Sequence, residues 1–147
     1  MRAMGFTLIE TLIATVVLVS GMVAVAGMFA YSAQTALNNQ RRTSAAALLY
    51  EKMEQFRSTP SSDSMWSPGG SLNPTFPAAG YFDDVILDAT GSLNSSTTDP
   101  SAPFIRVWQV LPTVPRSVTI AVYALKPGST RRALELVRAT TVAGSRF

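Results

Sequence analysis

Residues 11 to 40 contain no charged side chain, and Leu12 to Tyr31 places sixteen apolar residues in twenty. That length matches a hydrocarbon core of roughly 30 Å crossed by a helix of about 20 residues. A helix apolar on every face needs apolar surroundings on all sides, which a domain of this size does not provide. The pattern therefore predicts a membrane-spanning helix. Beyond residue 31 the pattern becomes amphipathic. Leu37, Ala45, Leu48, Leu49, Met53 and Phe56 recur at helical steps along one face, and Arg41, Arg42, Glu51, Lys52, Glu54 and Arg57 take the other positions. Ala45-Ala46-Ala47-Leu48-Leu49 is strongly helix-forming, and Ser58-Thr59-Pro60 stops the helix. One helix from Phe6 to Arg57 would measure about 78 Å at 1.5 Å per residue.

Residues 58 to 103 hold six Pro, four Gly and fifteen Ser or Thr, and read as a loop region with one short strand at Tyr81 to Asp88. The last third reads as β. Phe104 to Leu111, Ser117 to Leu125 and Ala133 to Val142 are rich in Val, Ile, Thr and aromatic residues. Val118, Ile120, Val122 and Ala124 alternate with Thr119, Ala121 and Tyr123, so one sheet face should bury against the amphipathic half of the helix. Pro112 and Pro115 argue against a tight hairpin between the first two strands, and Pro127-Gly128 marks a turn before the third. The fold class expected is α+β, a long N-terminal helix packed on a small antiparallel sheet. There is no internal repeat.

Composition narrows the chemistry. The chain has 147 residues, no Cys and no His. Disulfides, Cys/His zinc sites, haem ligation and imidazole or thiolate catalysis are excluded. Lys52 and Lys126 have no supporting spacing to a serine nucleophile, and there is no phosphate-binding glycine loop or dinucleotide fingerprint. The chain reads as non-enzymatic, without cofactor or small-molecule substrate. Charge is segregated: residues 58 to 105 carry five Asp and no Lys or Arg, and residues 106 to 147 carry seven basic residues against Glu135 alone. The two blocks either attract each other or are simply solvated. Asp83, Asp84, Asp88 and Asp99 offer oxygen ligands for calcium but follow no EF-hand pattern, and loop aspartates more often make turns. The basic residues Arg106, Arg116, Lys126, Arg131, Arg132, Arg138 and Arg146 raise DNA as a partner, with Phe104, Trp108 and Tyr123 as stacking surfaces. Aromatic residues in strands are usually core, and that reading is preferred. Asn94-Ser95-Ser96 matches a glycosylation sequon, a pattern short enough to arise by chance.

One carboxylate stands out. Glu10 lies at the front of the apolar helix, and the only nearby cation is Arg2. A charge in the membrane is costly and usually has a partner, so the missing partner points to a second molecule. Here Gly5-Phe6-Thr7-Leu8-Ile9-Glu10 resembles the prepilin cleavage and methylation signal of type IV pilins and type II secretion pseudopilins. Residues 1–5 would then be the leader, 6–31 the transmembrane and assembly half of the helix, 32–57 its amphipathic half, and 58–147 the extracytoplasmic region. The resemblance implies cleavage after Gly5 by a prepilin peptidase, N-methylation of Phe6, and pairing of Glu10 with the N-terminal amine of an adjacent subunit. It implies other pilin subunits as partners through the helix. The protein would start as a single-pass inner-membrane precursor and end in a surface pilus or periplasmic pseudopilus.

Ser20-Gly21, Ala26-Gly27 and the segment from Ala45 to Glu54 resemble minor pilins of the PilV (pilus modification) type. The resemblance covers about the first 57 residues. The chain departs from many major pilins in lacking a proline in the lipid-embedded helix and a C-terminal Cys pair. Gly21 and Gly27 either loosen the helix or permit close helix packing. Charge bias does not fix the orientation, because Arg2 precedes the span and Arg41 and Arg42 follow it; the resemblance implies an extracytoplasmic C-terminal region. The alternative from another class is an ordinary signal peptide cut after Ala26, in Ala24-Val25-Ala26, which would release a secreted binding protein.

Overall fold

The computed structural model describes residues 7–87, 93–96, 102–125 and 133–143. The chain forms two compact units divided after Asn39. The boundary falls within one continuous helix, α1 (Leu8–Ser58). Thr7 opens it, accepting the Glu10 N–H at both its carbonyl (3.1 Å) and its hydroxyl (3.3 Å), an N-cap arrangement. At the other end the hydroxyls of Ser58 and Thr59 and the Thr59 N–H all donate to the Gln55 carbonyl, and Pro60 blocks another turn. The first unit is the α1 segment up to Asn39.

In the second unit the last turns of α1 lie on an antiparallel sheet. Its strands are β1 (Gly69–Gly70), β2 (Phe82–Leu87), β3 (Leu93–Ser96), β4 (Phe104–Leu111), β5 (Ser117–Leu125) and β6 (Ala133–Val142). The order is β3-β2-β4-β5-β6, and β1 pairs with β4 beyond the point where β2 stops. The expected α+β layout is present, and β4, β5 and β6 have the boundaries read from sequence. Strand β3 and the two-residue β1 lie within the stretch read as loop, so that stretch supplies part of one side of the sheet. The proline-containing link Pro112–Arg116 does join β4 to β5, while the expected turn at Pro127-Gly128 lies outside the described residues.

The core forms where the two periodicities meet. Ala45, Leu48, Leu49, Met53 and Phe56 on α1 pack with Phe104, Trp108 and Val110 of β4 and Val118, Ile120 and Val122 of β5. The alternate residues Ile105, Val107, Ala121 and Tyr123 form a second cluster on the opposite face, covered by Leu72 and Phe82. Two expectations for α1 need correction. Leu37 is 59 % exposed and belongs to the first unit, outside the group of helix residues that form the core of the second. Lys52 is buried, although charge alone put it on the solvent side. It lies four residues before Phe56 and four after Leu48, within the arc that faces the sheet.

The connection from α1 to the sheet is folded rather than loose. A 3-10 helix, Ser64–Trp66, is capped by the Asp63 carboxylate, which accepts from the Met65 N–H at 2.8 Å. It delivers Trp66 edge-on to Phe56, with ring centroids 5.1 Å apart, and the indole N–H donates to the Thr59 carbonyl. Tyr81 then closes over β1, its hydroxyl donating to the Ser67 carbonyl. Gly70 has φ +87°, and a Cβ there would sit 2.2 Å from the Trp108 carbonyl oxygen and 2.8 Å from the Tyr81 ring. The strand cannot approach β4 with any side chain at this position. Gly70→Ala should therefore cost about 3 kcal/mol, combining positive-φ strain and overpacking. Urea unfolding followed by the fluorescence of Trp66 and Trp108 checks this.

Candidate functional site

The first unit presents its apolar side chains outward. Leu8, Ile9, Leu12, Ile13, Val16, Val17, Val23 and Phe29 are all exposed. By length and composition this helix is able to cross a membrane. Four of its hydroxyls are consumed locally: Thr11 donates to the Leu8 carbonyl, Thr15 to Thr11 and Leu12, Ser20 to Val17, and Thr35 to Tyr31, all at 2.9 Å. In an apolar medium, such back-bonding removes the penalty of an unpaired hydroxyl. Apart from the adjoining backbone of the helix itself, no described atom lies within 4 Å of a Cβ built on Gly21 or Gly27, so both glycines leave open notches in the helix surface.

Glu10 is exposed in the first turn. Among the described residues its carboxylate has no hydrogen-bond or ion-pair partner. Gly5 and Phe6, the expected cleavage and methylation positions, lie outside the described residues. The sequence reading missed one property of this segment. Thr7-Leu8-Ile9-Glu10 has the spacing of a capping box, with Thr7 as N-cap and Glu10 at the third helical position. A carboxylate there also interacts favourably with the helix dipole, by about 0.3–1 kcal/mol. Glu10 thus has a role in its own helix.

The segregated charges of the second unit do meet. Arg106 on β4 faces Asp83 directly across the β2–β4 ladder. Its Nε and Nη2 donate to the two Asp83 oxygens at 2.8 and 2.7 Å, and Nη1 donates to the Leu48 carbonyl at 2.7 Å and to Glu51 at 3.4 Å. Lys52 Nζ lies 3.8 Å from Asp83 and 4.1 Å from the centroid of the Trp108 ring. Burial pushes the Lys52 ammonium below its ordinary pKa against the pull of Asp83.

This geometry decides several sequence readings. Asp83 and Asp84 are buried strand residues and do not make turns, and Asp83 is occupied by two cations. Asp88 and Asp99 lie outside the described residues, and among the described residues no three acidic side chains gather into a metal-binding group. Of the basic residues, Arg106 is buried, Arg116 donates to the Ser61 and Trp66 carbonyls, and Arg138 pairs with Glu135 at 2.6 Å. Lys126, Arg131, Arg132 and Arg146 are outside the described residues. Phe104, Trp108 and Tyr123 are buried and present no stacking face, because strand pleating turns all three into the two clusters. No protein family, curated protein or solved structure matches the chain.

Two measurements test the cluster. Asp83→Asn should cost about 3–5 kcal/mol, because it leaves Arg106 buried without its counter-charge, whereas Asp83→Leu with Arg106→Met should cost much less. Urea unfolding compares the two. The depressed Lys52 pKa means that the unfolded chain binds more protons than the folded one between the folded value and 10.5. Stability should rise with pH across that window and stay level below the folded value, where both states carry the proton. In Lys52→Met this alkaline gain should be absent.

Proposed function

We propose that this protein is a non-enzymatic minor subunit of a type IV pilin-like filament, most similar to the PilV type, that helps to initiate, cap or modify the fibre. The observation that carries the proposal is the conjunction of a prepilin-like Gly5-Phe6-Thr7-Leu8-Ile9-Glu10 with an exposed apolar helix that begins at Leu8. The α+β layout behind that helix supports it. In this reading a prepilin peptidase cuts after Gly5 and Phe6 is N-methylated.

The mechanism follows from the change of solvent. Leaving the bilayer requires another apolar surface for every side chain from Leu12 to Tyr31, and a stack of similar helices supplies it. Lipid is already apolar, so association rests on close packing and on polar pairs. Glu10, whose carboxylate is exposed at the front of the helix, pairs with the N-terminal amine of the next subunit. Neutralising two charges at one place fixes the stagger between helices, a registry role. The secreted alternative differs in where the mature chain begins, at Gly27 instead of Phe6.

Mass spectrometry of the mature N-terminus, with and without prepilin peptidase, should find a chain beginning at methylated Phe6 only when the enzyme is present; a start at Gly27 would overturn the proposal. Glu10→Ala should be processed and membrane-inserted but incorporated at least tenfold less into sheared fibres. Recovery in a secretion pseudopilus and absence from surface fibres would move the assignment to the type II secretion pseudopilins.

A further inference from the structure

At the end of the sheet where β4 turns into β5, a cleft of about 550 Å3 opens between the Pro112–Arg116 link and the segment that follows α1. Its lining is mixed. Pro68, Pro112 and Val114 contribute apolar surface, and Val114 is fully exposed. Ser61, Ser62 and Arg116 contribute polar groups. Neither serine hydroxyl has a hydrogen-bond partner among the described residues.

Arg116 differs from the other described arginines of the C-terminal third. Arg106 and Arg138 each have a carboxylate within 2.7 Å. Arg116 has no acidic side chain within ion-pair distance among the described residues, and no acidic residue lines the cleft. Its Nη1 donates to the carbonyls of Ser61 (3.3 Å) and Trp66 (3.1 Å). These two carbonyls hold the guanidinium in place without neutralising it, and Nε and Nη2 keep their donors. A positioned, half-buried guanidinium with spare donors suits a planar two-oxygen acceptor, which it binds bidentately.

We propose that this cleft binds a carboxylate side chain of a partner polypeptide, flanked by an apolar residue. A single cation matches the single charge of a carboxylate. The prolines and Val114 that share the lining with Arg116 call for hydrocarbon next to that charge, and Ser61 and Ser62 can donate to its second lone-pair set or to the neighbouring backbone. A cleft of this volume lies within the range of small-ligand sites, enough for two or three residues of an extended segment. The three prolines around it, Pro68, Pro112 and Pro115, limit the ordering lost on binding. The site is independent of the filament assignment and would serve any partner that offers this acidic segment.

The test uses the full chain in neutral detergent micelles, isotope-labelled for NMR. The probe is N-acetyl-Val-Glu-Pro-amide, with its Gln counterpart, inorganic phosphate and anionic-lipid vesicles as comparisons. Saturable shifts at the amides of Ser62, Thr113 and Val114 are expected with the Glu peptide, with at least tenfold weaker binding of the Gln peptide. Val114→Ser, which leaves the core untouched, should weaken binding three- to tenfold. Arg116→Lys should weaken it further while keeping the positive charge. Equal binding of both peptides would overturn the proposal, as would no shift at millimolar peptide. Tighter saturation by phosphate or by vesicles would overturn it in favour of a general anion site or a lipid-headgroup contact.

Discussion

The second unit depends on a guanidinium that has been taken out of water. Arg106 reaches three elements at once: Asp83 on β2, the Leu48 carbonyl on α1, and its own strand β4. A buried charge of this kind is tolerated only with a fully occupied set of partners, since desolvation is expensive and attraction repays it only in good geometry. That requirement makes the contact selective rather than strongly stabilising. A slip of one residue between β2 and β4 would turn Asp83 to the other face of the sheet. A rotation of α1 would withdraw the Leu48 carbonyl and bring Lys52 away from the Trp108 ring. The apolar core alone would accept several such arrangements; the charge cluster accepts one.

Much of this architecture was legible in the sequence, because hydrophobic period is a direct consequence of which medium each face meets. The all-round apolar run from Leu12, the single apolar face from Ala45 to Phe56 and the alternation in β5 each announce a different environment. What was not legible depends on partners far away in the chain. Lys52 looks like a solvent residue until Trp108 and Asp83, 56 and 31 positions later, are brought to it. Asp83 looks like a loop acid for the same reason. Strand β3, Leu93–Ser96, is polar and short, and is a strand because β2 offers it a ladder. Gly69-Gly70 reads as a flexible pair, yet it is where the backbone comes closest to β4.

The candidate assembly segment divides in the same way. Its apolar length and its lone acid were apparent from residue order. Thr7-Leu8-Ile9-Glu10 also carries the spacing of a helix cap, written in the same residue that reads as a lone membrane carboxylate. The dipole contribution requires no hydrogen bond from the carboxylate, and the group remains exposed.

The back-bonded hydroxyls of Thr11, Thr15, Ser20 and Thr35 carry a consequence for neighbours. With their donors turned inward, these side chains offer an approaching helix mostly methyl and methylene groups. Such a surface discriminates by contour and scarcely by polarity. Lipid tails and apolar helices of quite different sequence would suit such a surface equally, so long as their bulges fit its notches.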